Sequence, residues 1–140
     1  MMQARIKWVD GAMFVGESGS GHALVMDGPT DHGGRNLGVR PMEMLLLGMG
    51  GCTSFDVVNI LRKGRHEIVD CVAEITAQRV DAIPSVFSSI HVHFIISGRN
   101  VSPAAVKRAV QLSAEKYCSA SIMLEKSVAI SHDFEIIDVE

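Results

Sequence analysis

The stretch that most constrains this 140-residue chain is PMEMLLLGMGGCTSFDVVNILRKG, Pro41 to Gly64. It reads as one long helix. Pro41 sits in the first turn, where its missing N–H costs nothing. Arg62 and Lys63 place positive charge at the negative end of the helix dipole, and Gly64 suits a left-handed cap. Yet Met44 to Cys52 carries no polar side chain, and Gly48, Gly50 and Gly51 crowd its middle, each costing about 1 kcal/mol against alanine. A helix apolar all round must be buried on nearly every side. One sheet in a domain of this size covers one flank, so the other needs a second helix or a partner chain. The glycines allow another backbone to approach. The expectation is a central helix whose open flank is covered by a homodimer mate.

Around that helix the patterning alternates between the two secondary-structure periods. MQARIKWV and AMFVGES flank Asp10-Gly11, a dipeptide that favours a type I′ hairpin turn, and HALVM follows as a third strand. DGPTDHGGRNLGVRP is a long surface loop by composition. After the helix, CVAEITAQRV places Cys71, Ala73, Ile75 and Ala77 on one face. VFSSIHVHFIIS places Val86, Ile90, Val92, Phe94 and Ile96 on one face, with His91 and His93 opposite. Ser102 and Pro103 open a second helix running to Cys118. A short helix follows around SIMLEK, and SVAISHDFEII is the last strand. The order βββ–α–ββ–α–(α)–β predicts an α+β fold with antiparallel pairing in one domain over residues 1–140.

Composition narrows the function. A net charge of −3, with no basic run, argues against nucleic-acid binding. At 47% hydrophobic and 21% charged the chain is of ordinary globular type. The start MMQARIKWVDG has no apolar signal core, and the longest apolar-or-glycine run is too short for a membrane span. Cys52, Cys71 and Cys118 are far apart, with no CxxC pair, so neither a zinc ribbon nor a disulfide framework is indicated. A reducing cytoplasm is the expected compartment.

Cys71 belongs to an apolar strand face, where a thiol packs as a small hydrophobe. Cys52 follows three glycines that clear the space beside its sulfur. Cys118 ends one helix just before another, where backbone N–H groups can favour a thiolate. Whether the two sulfurs meet is open at this stage, with 66 positions separating 52 from 118 (118 − 52).

RPMEMLLLGMGGCTSFDVVNIL and LSAEKYCSASIMLEKSVAI together resemble the two signature segments of the OsmC/Ohr family of thiol-dependent hydroperoxide reductases, most nearly its YhfA-like branch. The resemblance covers essentially the whole chain. It implies an OsmC-like antiparallel β-sheet wrapped around long central helices in an intertwined homodimer, with active sites at the interface. Carried over, Cys52 is the peroxidatic thiolate and Cys118 the resolving thiol. The partners implied are an organic hydroperoxide and an external dithiol electron donor, with no bound cofactor.

The family activates its thiolate with an arginine held by a glutamate. Glu43 is the nearest acid, nine positions before Cys52 (52 − 43). At about 100° per residue it faces half a turn away from Cys52 in an ideal helix, and in the first turn it also complements the dipole. The hairpin FVGESGSGHALVMDG carries no arginine, which leaves Arg35 and Arg40 of the loop as substitutes. His91 and His93, spaced i, i+2, lack a third metal ligand, and His132 reads as a core histidine hydrogen-bonded within the protein. Two functions stand side by side: a cysteine peroxidase, and a non-catalytic dimeric module binding a small apolar ligand beside Cys52.

Overall fold

The computed structural model describes residues 1–140, which divide into two compact units, Met1–Leu47 and Gly48–Glu140. The first unit holds a three-stranded antiparallel meander of β1 (Ala4–Asp10), β2 (Met13–Ser18) and β3 (Ala23–Met26). The β1–β2 turn is shifted by one residue from the sequence expectation. Asp10 pairs with Met13, and Gly11 alone takes a positive φ (53°), whereas type I′ needs two such residues. The nitrogen of Trp8 donates to the Gly11 carbonyl at 2.8 Å.

The long loop is organised by a residue the sequence did not single out. Asp27 is buried, and its carboxylate accepts backbone N–H groups of Gly28 (2.8 Å), Arg35 (3.2 Å) and Leu37 (3.2 Å). Burial by itself pushes the carboxyl up; the three donors, with help from Arg35, outweigh it and leave the group below its ordinary value. A single 3₁₀ turn (Thr30–His32) lies within this loop.

The unit boundary falls inside α1 (Pro41–Lys63), whose limits match the sequence reading. Its exit differs in detail. His66 N–H bonds to Leu61 and Arg65 N–H to Arg62, the paired bonds of a Schellman motif, and the left-handed residue is Arg65 (φ 64°), not Gly64. Within this chain the buried residues of α1 form one stripe, Met49, Gly50, Thr53, Val57 and Leu61. Leu47 (58% exposed) and Phe55 (70%) lie off it. An added Cβ at Gly50 would stand 2.7 Å from Ile75 Cδ1, so a side chain, not a backbone, claims that space; at Gly48 and Gly51 nothing of this chain lies within 4 Å. By length and composition alone α1 also suits a membrane span. The buried hydrogen bonds of its Thr53, described below, are those of a helix packed in a protein core.

The second unit carries β4 (Glu67–Arg79), β5 (Phe87–Arg99) and β6 (Ala129–Asp138), in the order β4-β5-β6. β5 is central, and Ile90, Val92, Phe94 and Ile96 are fully buried along one face. Val86 was expected on that face but is half exposed, and Phe87 is buried instead. The cause is a register shift where Gln78 pairs with Ser89 but Arg79 with Phe87, an extra residue that flips the alternation. β4 and β5 are antiparallel, as expected. β5 and β6 are parallel, so the antiparallel expectation fails for this pair. The helices between them supply the long crossover that a parallel pair requires.

That crossover begins with α2 (Pro103–Leu112), capped by the Ser102 hydroxyl accepting from Ala105 N–H at 3.3 Å. α2 stops at Leu112, short of the expected Cys118. A π-helical turn, Ser113–Tyr117, follows and closes with Cys118 N–H donating to Ser113 at 2.8 Å. α3 (Ser119–Leu124) comes next.

Candidate functional site

Two segments within the second unit position the thiols. Cys52 lies on α1, half-buried, one position before the buried Thr53. Cys118 is fully buried at the cap of α3, where the π-helical turn delivers it. The structure brings them together: both sulfurs and a carboxylate oxygen of Asp56 lie within 4.8 Å of one another. No disulfide joins them, and all three cysteines are free.

Serines and a threonine hold this arrangement. Thr53 and Ser113 hydroxyls are 2.8 Å apart, and Ser113 donates to Asp56 Oδ2 at 3.0 Å. Ser113 has one proton, so giving it to the carboxylate makes Thr53 the donor to Ser113. This relay ties α1 to the π-helical turn that precedes Cys118. Ser121 then donates twice to Cys118 Sγ, from its N–H (3.4 Å) and from its hydroxyl (3.1 Å). Thr53, Ser113 and Ser121 are all essentially inaccessible to water.

The electrostatics correct one expectation. Burial pushes the Cys118 thiol up, the two Ser121 hydrogen bonds pull it down, and neighbouring Cys52 pushes it up again, for a net rise. The start of α3 acts in the expected direction but does not prevail over desolvation. Cys118 therefore keeps its proton at neutral pH. Cys71, half-buried on β4, is likewise raised by burial and then by Asp70.

The other predicted site residues are engaged within the first unit. Glu43 Oε1 accepts the backbone N–H of Arg40 at 2.7 Å, the reach-back half of a capping box at the start of α1. Arg35 pairs with Asp10 at 2.7 Å. Arg40 donates to Asn36 Oδ1 (2.9 Å) and to the Gly38 carbonyl (3.1 Å). Asp56, Thr53, Ser113 and Ser121 were missed by sequence reasoning. Two signals were available: Asp56 follows Cys52 by one helical turn, and Ser121 follows Cys118 at capping-box distance.

On the open face of β5 and β6 all four imidazole nitrogens of His91 and His93 have partners. His91 meets Ser131 (2.7 Å) and Asp133 (2.9 Å), and His93 meets Asp133 (2.7 Å) and Glu135 (3.1 Å). Hydrogen bonds donated to Glu135 and then to Asp133 raise His93, and the two histidines, His93 first, lower Asp133. A raised histidine contributes stability that is complete below its unfolded value and fades as pH rises through the folded one. The His93→Gln variant should therefore lose more thermal stability relative to the parent at about pH 5.5 than at about pH 8.5. Equal losses in thermal melts at the two pH values would contradict this. His132 departs from expectation: its buried Nε2 has no hydrogen-bond partner, its ring stacks on Phe94 at 6.4 Å, and burial followed by His91 lowers it.

The fold and the paired-thiol site define an OsmC-like protein, and the chain belongs to that family, whose model matches residues 32–133. It is 51% identical over 136 residues to Protein YhfA of Escherichia coli (strain K12), covering 97% of this chain and 98% of that protein. The crystal structure of a hypothetical protein from Aquifex aeolicus VF5 superposes with a TM-score of 0.88 at 27% identity, covering 100% of this chain and 98% of that one. An organic hydroperoxide resistance protein OsmC from Legionella pneumophila gives a TM-score of 0.74 at 14% identity, covering 96% of each chain, a likeness of fold.

Proposed function

We propose that this chain is a thiol-dependent hydroperoxide reductase, with Cys52 as the attacking thiolate and Cys118 as the resolving thiol. The observation that carries the reading is the approach of the two sulfurs to within 4.8 Å across 66 residues of chain (118 − 52). The Cys52 thiolate attacks the distal oxygen of an organic hydroperoxide. An S–O bond forms, the O–O bond breaks, and the alkoxide takes a proton to leave as an alcohol. Cys118 then gives up its proton and attacks the sulfenic sulfur; the S–S bond forms and water leaves. An external dithiol reopens the disulfide by two exchanges and becomes oxidised. Disulfide formation closes the sulfurs from this separation to about 2.05 Å. Supplying purified protein with cumene hydroperoxide and a dithiol tests the reading: turnover supports it, and its absence refutes it.

A second reading is favoured by the occupation of Glu43, Arg40 and Arg35 with a helix cap and loop contacts. On it the chain is a non-catalytic module holding a small apolar ligand beside Cys52. Inert thiols in the same assay, together with a bound ligand in native mass spectra, would favour it.

The working unit on either reading is a homodimer of one OsmC-like domain over residues 1–140, in a reducing cytoplasm consistent with three free thiols. The exposed Leu47 and Phe55 of α1 and the open space at Gly48 and Gly51 support this. The sign of a simple substitution tests it. In a monomer Gly48→Ala and Gly51→Ala would each stabilise α1 by about 1 kcal/mol. With a second backbone packed there they should destabilise and promote dissociation, measured by melts and sedimentation. Stabilisation in a chain that sediments as a monomer would overturn the dimer.

A further inference from the structure

We propose that Cys52, Asp56 and Cys118 form a binding site for a single Zn²⁺ ion. Cys52 and Asp56 are one turn apart on α1 and Cys118 comes from the crossover, so the donors are supplied by two separate elements. Their ligand atoms lie within 4.8 Å of one another. A tetrahedral zinc with Zn–S of about 2.3 Å and Zn–O of about 2.0–2.2 Å holds such atoms about 3.5–3.8 Å apart. The triangle therefore needs only a modest contraction. Two thiols and one carboxylate suit borderline-soft zinc better than hard magnesium or calcium, which favour all-oxygen cages.

The surrounding hydrogen bonds would orient the donors for a bound ion. Ser113 donates to Asp56 Oδ2 at 3.0 Å, which orients the carboxylate, and is itself held by Thr53. Ser121 points an N–H and an O–H at Cys118 Sγ, which a metal-bound thiolate accepts well. Binding releases to solvent whatever protons the two sulfurs carry as the Zn–S bonds form. Three protein donors leave one tetrahedral position for water.

This inference uses the thiols of the proposed redox site but does not depend on turnover. Zinc holds both sulfurs as thiolates and withholds them from alkylation and peroxide, so metal loading and peroxide reduction are alternative states of one pair.

Zinc chloride titrated into reduced, tag-free protein against a chromophoric chelator tests it without peroxide. One equivalent should bind per chain, and a cobalt(II) substitute should show a thiolate-to-metal charge-transfer band. Cys52→Ser and Cys118→Ser should each abolish both signals. Asp56→Asn should weaken binding by about tenfold or more, while its thiols still form a disulfide with diamide, which shows the site intact. The double variant His91→Ala, His93→Ala should bind like the parent. Absence of stoichiometric zinc, retention of it in Cys52→Ser, or its loss in the histidine variant would each overturn the proposal. Peroxidase turnover measured with excess chelator reports on the redox reading separately.

Discussion

Cys52→Ser should lower hydroperoxide consumption at least about a thousandfold, because removing a nucleophile removes the covalent route and not one stabilising contact. Cys118→Ser should behave differently. It should consume one equivalent of peroxide per chain and then stall as a sulfenic acid on Cys52, trapped by dimedone and weighed by mass spectrometry. The distinction follows from position. Cys52 is the more accessible of the pair, whereas Cys118 is fully buried and raised by that burial. Cys71→Ser should leave both half-reactions intact, since Cys71 is absent from the cluster in which the other two thiols meet. Full turnover in Cys52→Ser would end the proposal. Dimedone adducts at Cys118 in preference to Cys52 would reverse the assignment of roles.

The largest expected effect on stability is at Phe94. It is a fully buried side chain on the central strand of the second sheet, and its ring stacks on His132. Phe94→Ala should cost about 3–5 kcal/mol, transfer and cavity terms together. Against a total of about 5–15 kcal/mol for a typical domain, that is a large share. The melting temperature should fall on the order of 10 °C. Phe94→Leu keeps most of the volume and should cost clearly less. Similar losses in the two variants would mean that ring stacking, not filled space, dominates at this position.

Much of the fold was legible because two periods are written plainly in the chain. The limits of α1 follow from Pro41 and the closing Arg62-Lys63, and the alternation around Cys71 to Ala77 survives in the burial of β4. What escaped was non-local. Nothing in VFSSIHV announces the register shift that buries Phe87 in place of Val86, because that shift depends on pairing with Gln78 and Arg79 of another strand. The parallel run of β6 beside β5 depends on how the crossover packs. The left-handed residue after α1 fell on Arg65, where a glycine one position earlier invited the opposite expectation.

The site divides along the same line. Two cysteines could be chosen from their local segments, but their meeting is a property of the closed fold. Asp56 could have been read as a neighbour of Cys52 from helical spacing alone. Ser113 could not, because its partners Thr53 and Asp56 lie 60 and 57 residues away. Glu43 is the reverse case. The sequence offered it a place in the first turn complementing the dipole, and the structure adds a contact that was not read, its acceptance of the Arg40 N–H.

The sulfur of Cys118 serves as the N-cap of α3 as well as a neighbour of Cys52. A sulfur drawn into a disulfide is turned toward its new bond and is a poorer acceptor for the Ser121 N–H. On the proposed cycle, disulfide formation would weaken this cap on a six-residue helix. The two redox states of that cycle would then differ in how firmly Ser119–Leu124 begins, as well as in bonding.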